Sequence, residues 1–455
     1  MESWKANYLY GDMQEVERAL QAPRPTAAPR DPWAALSCER WESLIRQGAF
    51  FKALGRVNWR VVPDAPRIPV SLLDEIRQMG TLLETFLRGL EKHLKESAFL
   101  RRELGFPACP QEEMIWELEC CKPLEMIRLD LAMEKGEHPR VLEIQVVMGG
   151  LGITHALRQT YGPHRSLPGI LPMYENCLRR NLLAIEGSES GLAAVLGAKR
   201  SAYRHEHLLL ARNLSAVGLV VAPLLALNRT AQGGLALPDG REVNLIHRLF
   251  RSPGVFRSSG EKAAIVLEAL VQNKIRLLNP WKDVLEDKRV LALVHHPEAG
   301  EHLGNFMDSR QIQMLRTYIP ATWRATPKSI SPMLNLPTSQ RTYYLKKGRS
   351  YESRALFHGR QLSSRQWQAA CLKAKAEGDW VIQKEVDSRP WEWKYLDPSS
   401  GTMRTMEGYV RLCPFFFRDS EGRMKLADIL ITAREQSSRV HGATDAVLTV
   451  PGAEC

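Results

Sequence analysis

The sequence predicts an α+β fold: a helical N-terminal region, two polar-faced strands, a small α/β unit, and a remainder of alternating strands and helices. Three observations carry this. Residues 126–131 and 142–147 are short apolar runs of period two, so Arg128 and Asp130 share a face on one strand, and Glu143 and Gln145 on the other. Residues 192–196, a helix near 206–214 and residues 219–221 alternate β-α-β, the pattern of a small parallel sheet. Residues 71–97 carry a continuous apolar stripe, from Leu72 and Ile76 through Leu83 and Phe86 to Leu94, at helical spacing.

In chain order, a proline-rich stretch at 22–32 separates a short N-terminal segment from that helix, which Ser71 and Asp74 introduce at capping-box-like spacing. The two strands follow and bring four polar groups together, as a solvated hairpin face or as a converging site. The second strand runs into Gly149-Gly150-Leu151-Gly152, which serves either a tight turn or a close backbone approach to a ligand. A helix over 171–185 leads to Gly187-Ser188-Glu189-Ser190-Gly191, a boundary by composition, and then to the α/β unit. Pro238-Asp239-Gly240 turns the chain into a strand over 243–248, and Asp419-Ser420-Glu421-Gly422 signals a hairpin near the C-terminus.

The composition excludes some functions. With 455 residues, 44% hydrophobic and 25% charged, the chain is an ordinary globular protein with room for several domains. A net charge of +11 points to anionic partners, but no long Lys/Arg run marks a nucleic-acid arm. Eight cysteines without a CxxC pair, and a start lacking the basic-then-apolar signal pattern, lead us to expect reduced thiols in a cytoplasmic protein. The longest apolar run, at 216–227, is interrupted by Pro223 and is too short to cross a bilayer.

Three further segments carry chemistry only in combination. Lys346 ends the apolar run 343–346 beside a serine-containing loop, where a lysine either is solvated or neutralises phosphate oxygens. Residues 379–386 read as a charge-flanked strand holding Gln383 and Glu385. Asp287-Lys288, after Asn279-Pro280, fits a capped helix start or a second phosphate lysine. The cysteines and histidines form no nucleophilic or zinc arrangement at workable spacing.

The order of these segments resembles the ATP-grasp ligases, and more narrowly their circularly permuted, glutathionylspermidine-synthase-like branch. The resemblance covers about residues 115–450. It implies an N-terminal helical region (1–114), metal-binding strands (115–190), a preATP-grasp-like α/β domain (191–285), a lid subdomain (286–380) and the rest of the ATP-grasp core (381–455). It makes Asp130, Glu143 and Gln145 magnesium ligands and sets Arg128 against the transferring phosphoryl group or the acyl phosphate. Lys288 and Lys346 would grip the nucleotide phosphates, Gln383 and Glu385 would line the adenine pocket, and Gly149 and Gly150 would admit phosphate or substrate to the backbone.

The activity implied is ATP-dependent joining of a small-molecule or peptide carboxylate to an amine through an acyl phosphate. Arg248 and Arg434 are candidates for holding the carboxylate, and His441-Gly442 for a loop closing over it. Two residues depart from the family pattern: Gln145 stands where asparagine is usual, and the loop after Lys346 is poor in glycine. They motivate the alternative of an ATP-grasp-like protein that binds nucleotide or a partner without catalysis.

Overall fold

The computed structural model describes residues 31–49, 59–135, 138–185, 191–197, 203–252, 254–350, 355–397, 402–435 and 446–452. Most of the proline-rich stretch, most of the 187–191 boundary, residues 351–354 of the loop after Lys346, and His441-Gly442 lie outside the described residues.

The two polar-faced strands are β1 (Met126–Met133) and β2 (Pro139–Gln145), an antiparallel pair with Arg128 opposite Gln145 and Asp130 opposite Glu143. A bulge follows Asp130, re-aiming the strand beside the polar pair. The parallel unit comes next, with β3 (Leu192–Gly197), β4 (Leu219–Pro223), β7 (Glu242–Arg248) and β8 (Arg276–Leu278) all parallel. Short antiparallel strands β5 (Asn228–Arg229) and β6 (Leu235–Ala236) extend one edge, giving the order β4-β3-β7-β6-β5 with β8 also beside β7. The helix Arg204–Asn213 makes the crossover from β3 to β4, as parallel pairing requires.

A four-stranded antiparallel sheet follows, built from β9 (Thr322–Arg324), β10 (Tyr343–Lys347), β11 (Leu356–His358) and β12 (Trp380–Lys384) in the order β11-β10-β12-β9. The helix Ser364–Glu377 covers it with Trp367, Ala370, Cys371 and Ala374, which share a small core with Leu345, Trp380 and Ile382. The chain then returns through β13 (Trp391–Asp397), β14 (Thr402–Arg418), β15 (Met424–Arg434) and β16 (Val447–Thr449). β14 is 17 residues long; its first half pairs with β13 and its second with β1, closing a six-stranded sheet ordered β16-β15-β14-β1-β2 with β13 also beside β14. The Asp419…Gly422 turn joins β14 to β15, with Gly422 at φ 77°.

The striped helix runs Val70–His93 and buries Leu73, Ile76, Met79, Leu83 and Phe86 in the core that contains Phe415, Phe416 and Phe417 of β14. Gly80 lets it lie flat on Phe416, since a Cβ there would stand 2.1 Å from the ring. Its start differs from the capping-box expectation. Pro69 is the N-cap with no side-chain cap, and Asp74 pairs with Arg77 instead. Proline's fixed φ starts the helix without a capping oxygen, leaving Ser71 inside the first turn. Among the described residues no helix is long and apolar enough to cross a membrane.

Candidate functional site

A cavity of about 450 Å³ opens between β1, β2 and β14 on one side and β10, β11 and the end of β12 on the other. Asp130, Glu143, Lys346, Glu385 and Arg411 all line it. Asn279, held at φ 51°, donates to the carbonyls of Met126 and Val146 (both 2.6 Å) and accepts from the amides of Glu125 and Met126 (both 2.9 Å). One amide side chain thereby ties the start of β1 to the end of β2. Glu286 accepts from the Val146 and Val147 amides at 3.1 and 3.0 Å and is ion-paired with Arg251.

Asp130 is 3% exposed, and both its oxygens are engaged. Oδ1 accepts from Arg128 Nε at 3.0 Å; Oδ2 accepts from an Arg411 terminal nitrogen at 2.9 Å and, more distantly, from Gln145 Nε2 at 3.4 Å. Arg128 also donates to the Gly149 carbonyl at 2.6 Å. The two guanidiniums hold Asp130 below the usual carboxylate range although burial opposes them. Glu143 meets Lys288 Nζ at 3.2 Å, and Lys288 also donates to the Ser350 carbonyl at 2.7 Å.

Lys346 enters from the opposite sheet. Its Nζ donates to Gln383 Oε1 at 2.5 Å, while Gln383 Nε2 donates to Thr322 Oγ1 at 3.1 Å. Burial and nearby Lys288 push the Lys346 ammonium down to about 8, against the pull of Glu143 and Asp130. Gln383 is 1% exposed and acts here as the residue that aims Lys346. Glu385 lines the cavity, pairs with His358 at 3.0 Å and with Arg360 at 3.4 Å, and donates its amide to the Thr342 carbonyl at 2.9 Å.

The glycine turn faces elsewhere. Gly150, at φ 98°, begins the helix Leu151–Tyr161 and donates its amide to Glu206 at 2.7 Å. Gly149 packs on the Tyr203 ring and Gly152 on the Glu206 backbone, where a Cβ would stand 2.2 and 2.0 Å from its neighbours. Neither Gly149 nor Gly150 lines the cavity; a carboxylate from the parallel unit occupies the amides that the sequence had suggested for phosphate.

Glu206 is fully buried, and desolvation pushes it up to about 7 despite the amide donors. A carboxyl raised above its unfolded value binds its proton more tightly in the native state. Its favourable contribution is therefore full below the unfolded value near 4.5 and lost as pH rises through about 7. Glu206→Gln should remove that component: its stability in urea, compared with wild type, should improve by roughly 2–3 kcal/mol between pH 5 and 8. Parallel pH profiles for the two proteins would refute this.

Arg248 lies apart from the cavity. It forms a buried pair with Asp283 at 2.6 Å and donates to the Phe250 and Pro280 carbonyls. Arg434 ends β15, opposite Tyr409, which lines the cavity. Arg411, His358 and Arg360 were not singled out in the sequence. Arg411 is 281 residues from Asp130, in a Phe-rich strand with no local signal of a site.

A glutathione synthetase-like effector from Globodera pallida matches with a TM-score of 0.61 at 11% identity, over 92% of this chain and 97% of that one. The chain shares its fold. Weaker likenesses are a putative gamma-glutamylcysteine synthetase from Methylobacillus flagellatus (TM-score 0.31, 12% identity, 82% of this chain and 88% of that) and a D-alanyl-alanine synthetase A from Vibrio cholerae (TM-score 0.27, 11% identity, 56% and 92%). No protein-family model matches the chain, and no curated protein matches it in sequence.

Magnesium, which the ligase resemblance implies, needs hard oxygen donors open to it. The described residues fit it poorly. Asp130 already serves two arginines, and separating a buried pair leaves uncompensated charge at a cost of about 3–5 kcal/mol. Gln145 turns its amide nitrogen toward Asp130. Glu143 is itself paired with Lys288 at 3.2 Å. Among the described residues no group of three or more His, Cys, Asp or Glu stands where it could hold a metal ion.

Proposed function

We propose that the cleft binds a nucleoside triphosphate such as ATP by its polyphosphate. The supporting observation is that Lys346 lines the cavity opposite the Asp130–Glu143 face, with Lys288, from a different part of the chain, paired to Glu143 at 3.2 Å. Lysines at a cleft of this size act as point charges for phosphate. The aromatic side of the cavity, with Tyr344 stacked on His358 at 4.5 Å between centroids, suits a flat base. Gln383 acts on the nucleotide through Lys346, and Glu385 through its cavity-facing pairings.

Ligation is the second reading. Arg128, Arg411, Lys288 and Lys346 around one face would offset charge on a transferring phosphoryl group. A small-molecule or peptide carboxylate would attack the terminal phosphorus, and an amine would displace phosphate from the acyl phosphate, leaving an amide and ADP.

Calorimetry with ATP, followed by assay of ADP release with amino acids, short peptides and polyamines, separates these readings. Binding without acceptor-dependent ADP release supports binding alone. Release matched by amide formation establishes ligation. Absence of ATP binding sinks both.

A further inference from the structure

The cleft brings its own counter-cations. Arg411 arrives from β14 beside β1, its side chain 15% exposed, and puts one terminal nitrogen on Asp130 while lining the cavity. Its Nε is buried without a hydrogen-bond partner among the described residues. Arg128 takes the other Asp130 oxygen, Lys288 takes Glu143, and Lys346 stands nearby. Four cationic groups therefore surround Asp130 and Glu143, while the other lining charges, Glu385 and Asp387 against Arg360 and Lys384, balance. Gln145, longer by a methylene than the asparagine usual in the resembling family, reaches across to the same Asp130 oxygen that Arg411 holds. Both carboxylates are already neutralised by side chains, Asp130 by two arginines and Glu143 by a lysine.

We infer that this chain binds its triphosphate as the metal-free anion, with Arg411 serving as the fixed cation in the role a divalent ion would otherwise have. This rests on the reading that the cleft binds ATP. Phosphate oxygens would take Arg411 donors that Asp130 leaves unused, since one terminal nitrogen holds Asp130 and the planar guanidinium carries five N–H donors. Arg411 is then the residue that makes nucleotide binding independent of magnesium.

The experiment is calorimetric titration of the full chain with ATP, once in EDTA and once in excess magnesium, repeated with Arg411→Met. For the wild type, affinity in EDTA should equal or exceed that in magnesium within about threefold, well under the tenfold that 1.4 kcal/mol represents. Arg411→Met should lose about tenfold or more in EDTA and recover most of it with magnesium. Wild-type binding that weakens tenfold in EDTA overturns the inference while leaving the ATP reading intact. A variant as indifferent to magnesium as the wild type overturns the role of Arg411. Binding in neither buffer removes the ATP reading and the inference with it. If Arg411→Met does not fold, the two wild-type titrations decide metal dependence, and Arg411→Lys, which keeps the charge, should stay indifferent to magnesium.

Discussion

Lys346→Met lowers the affinity for ATP by about 10- to 100-fold at neutral pH, as expected for a charge-assisted contact of about 1.5–3 kcal/mol to phosphate. The wild type itself should lose affinity as pH rises through about 8, where the buried ammonium gives up its proton. Bound phosphate raises that value, so the loss appears on the alkaline side of it. The variant should show a flat profile over the same range. Stability moves the opposite way. The native ammonium sits below the unfolded lysine, so unfolding takes up a proton between about 8 and 10.5, and the native state gains stability as pH rises through that window. Affinity falling while stability rises is a signature that general alkaline unfolding would not give. Equal ATP affinity in wild type and Lys346→Met would remove Lys346 from the site.

Arg349→Met destabilises the chain by about 3–5 kcal/mol, the loss expected when a buried carboxylate, here Glu112, is left without its cation. Arg349 follows β10, and its guanidinium reaches Glu112 Oε1 at 2.6 Å and Asp287 Oδ2 at 3.1 Å. Asp287 is shared with Arg289, whose terminal nitrogen lies at 2.6 Å. Gly348 fits directly against Asp287, where a Cβ would stand 2.5 Å from Oδ1, and its carbonyl accepts from the Lys288 amide at 3.2 Å. Lys288 is thus held against the loop after Lys346, which Arg349 pins to the helix Pro110–Glu119 of the N-terminal region. Urea unfolding measures the first effect, and titration with ATP should show weakened binding through displaced Lys288. Stability within about 0.5 kcal/mol of wild type, the range of ordinary surface changes, would show that the network carries no such weight.

Much of the fold was legible because it depends on local spacing. The period-two runs became β1 and β2 in the register that sets Asp130 against Glu143, since a slip of one residue would turn every polar group the other way. The β-α-β alternation became the parallel unit, and the striped helix became the cover of β14 and β15. The capping box failed because Pro69 starts the helix without help from Ser71, a choice made by backbone geometry rather than by side-chain preference.

The site residues were legible one at a time, but their partners were not. Lys346 and Asp287-Lys288 are visible as lysines next to turns, but Gln383 lies 37 residues from the first and Arg349 lies 62 residues from Asp287, too far along the chain for local spacing to show that they meet. The glycine turn after β2 was legible as a turn, yet its amides go to Glu206, a residue of the parallel unit more than fifty positions away.

By itself, then, the sequence determined which strands and helices form and which faces of β1 and β2 carry Arg128, Asp130, Glu143 and Gln145, because side-chain direction follows from backbone periodicity. Only the tertiary structure decided what those carboxylates do. Arg411 reaches Asp130 because β14 pairs beside β1, and Lys288 reaches Glu143 because the loop pinned by Arg349 holds it there. Charges far apart along the chain interact strongly only once folding has brought them within a few ångströms and excluded water from between them.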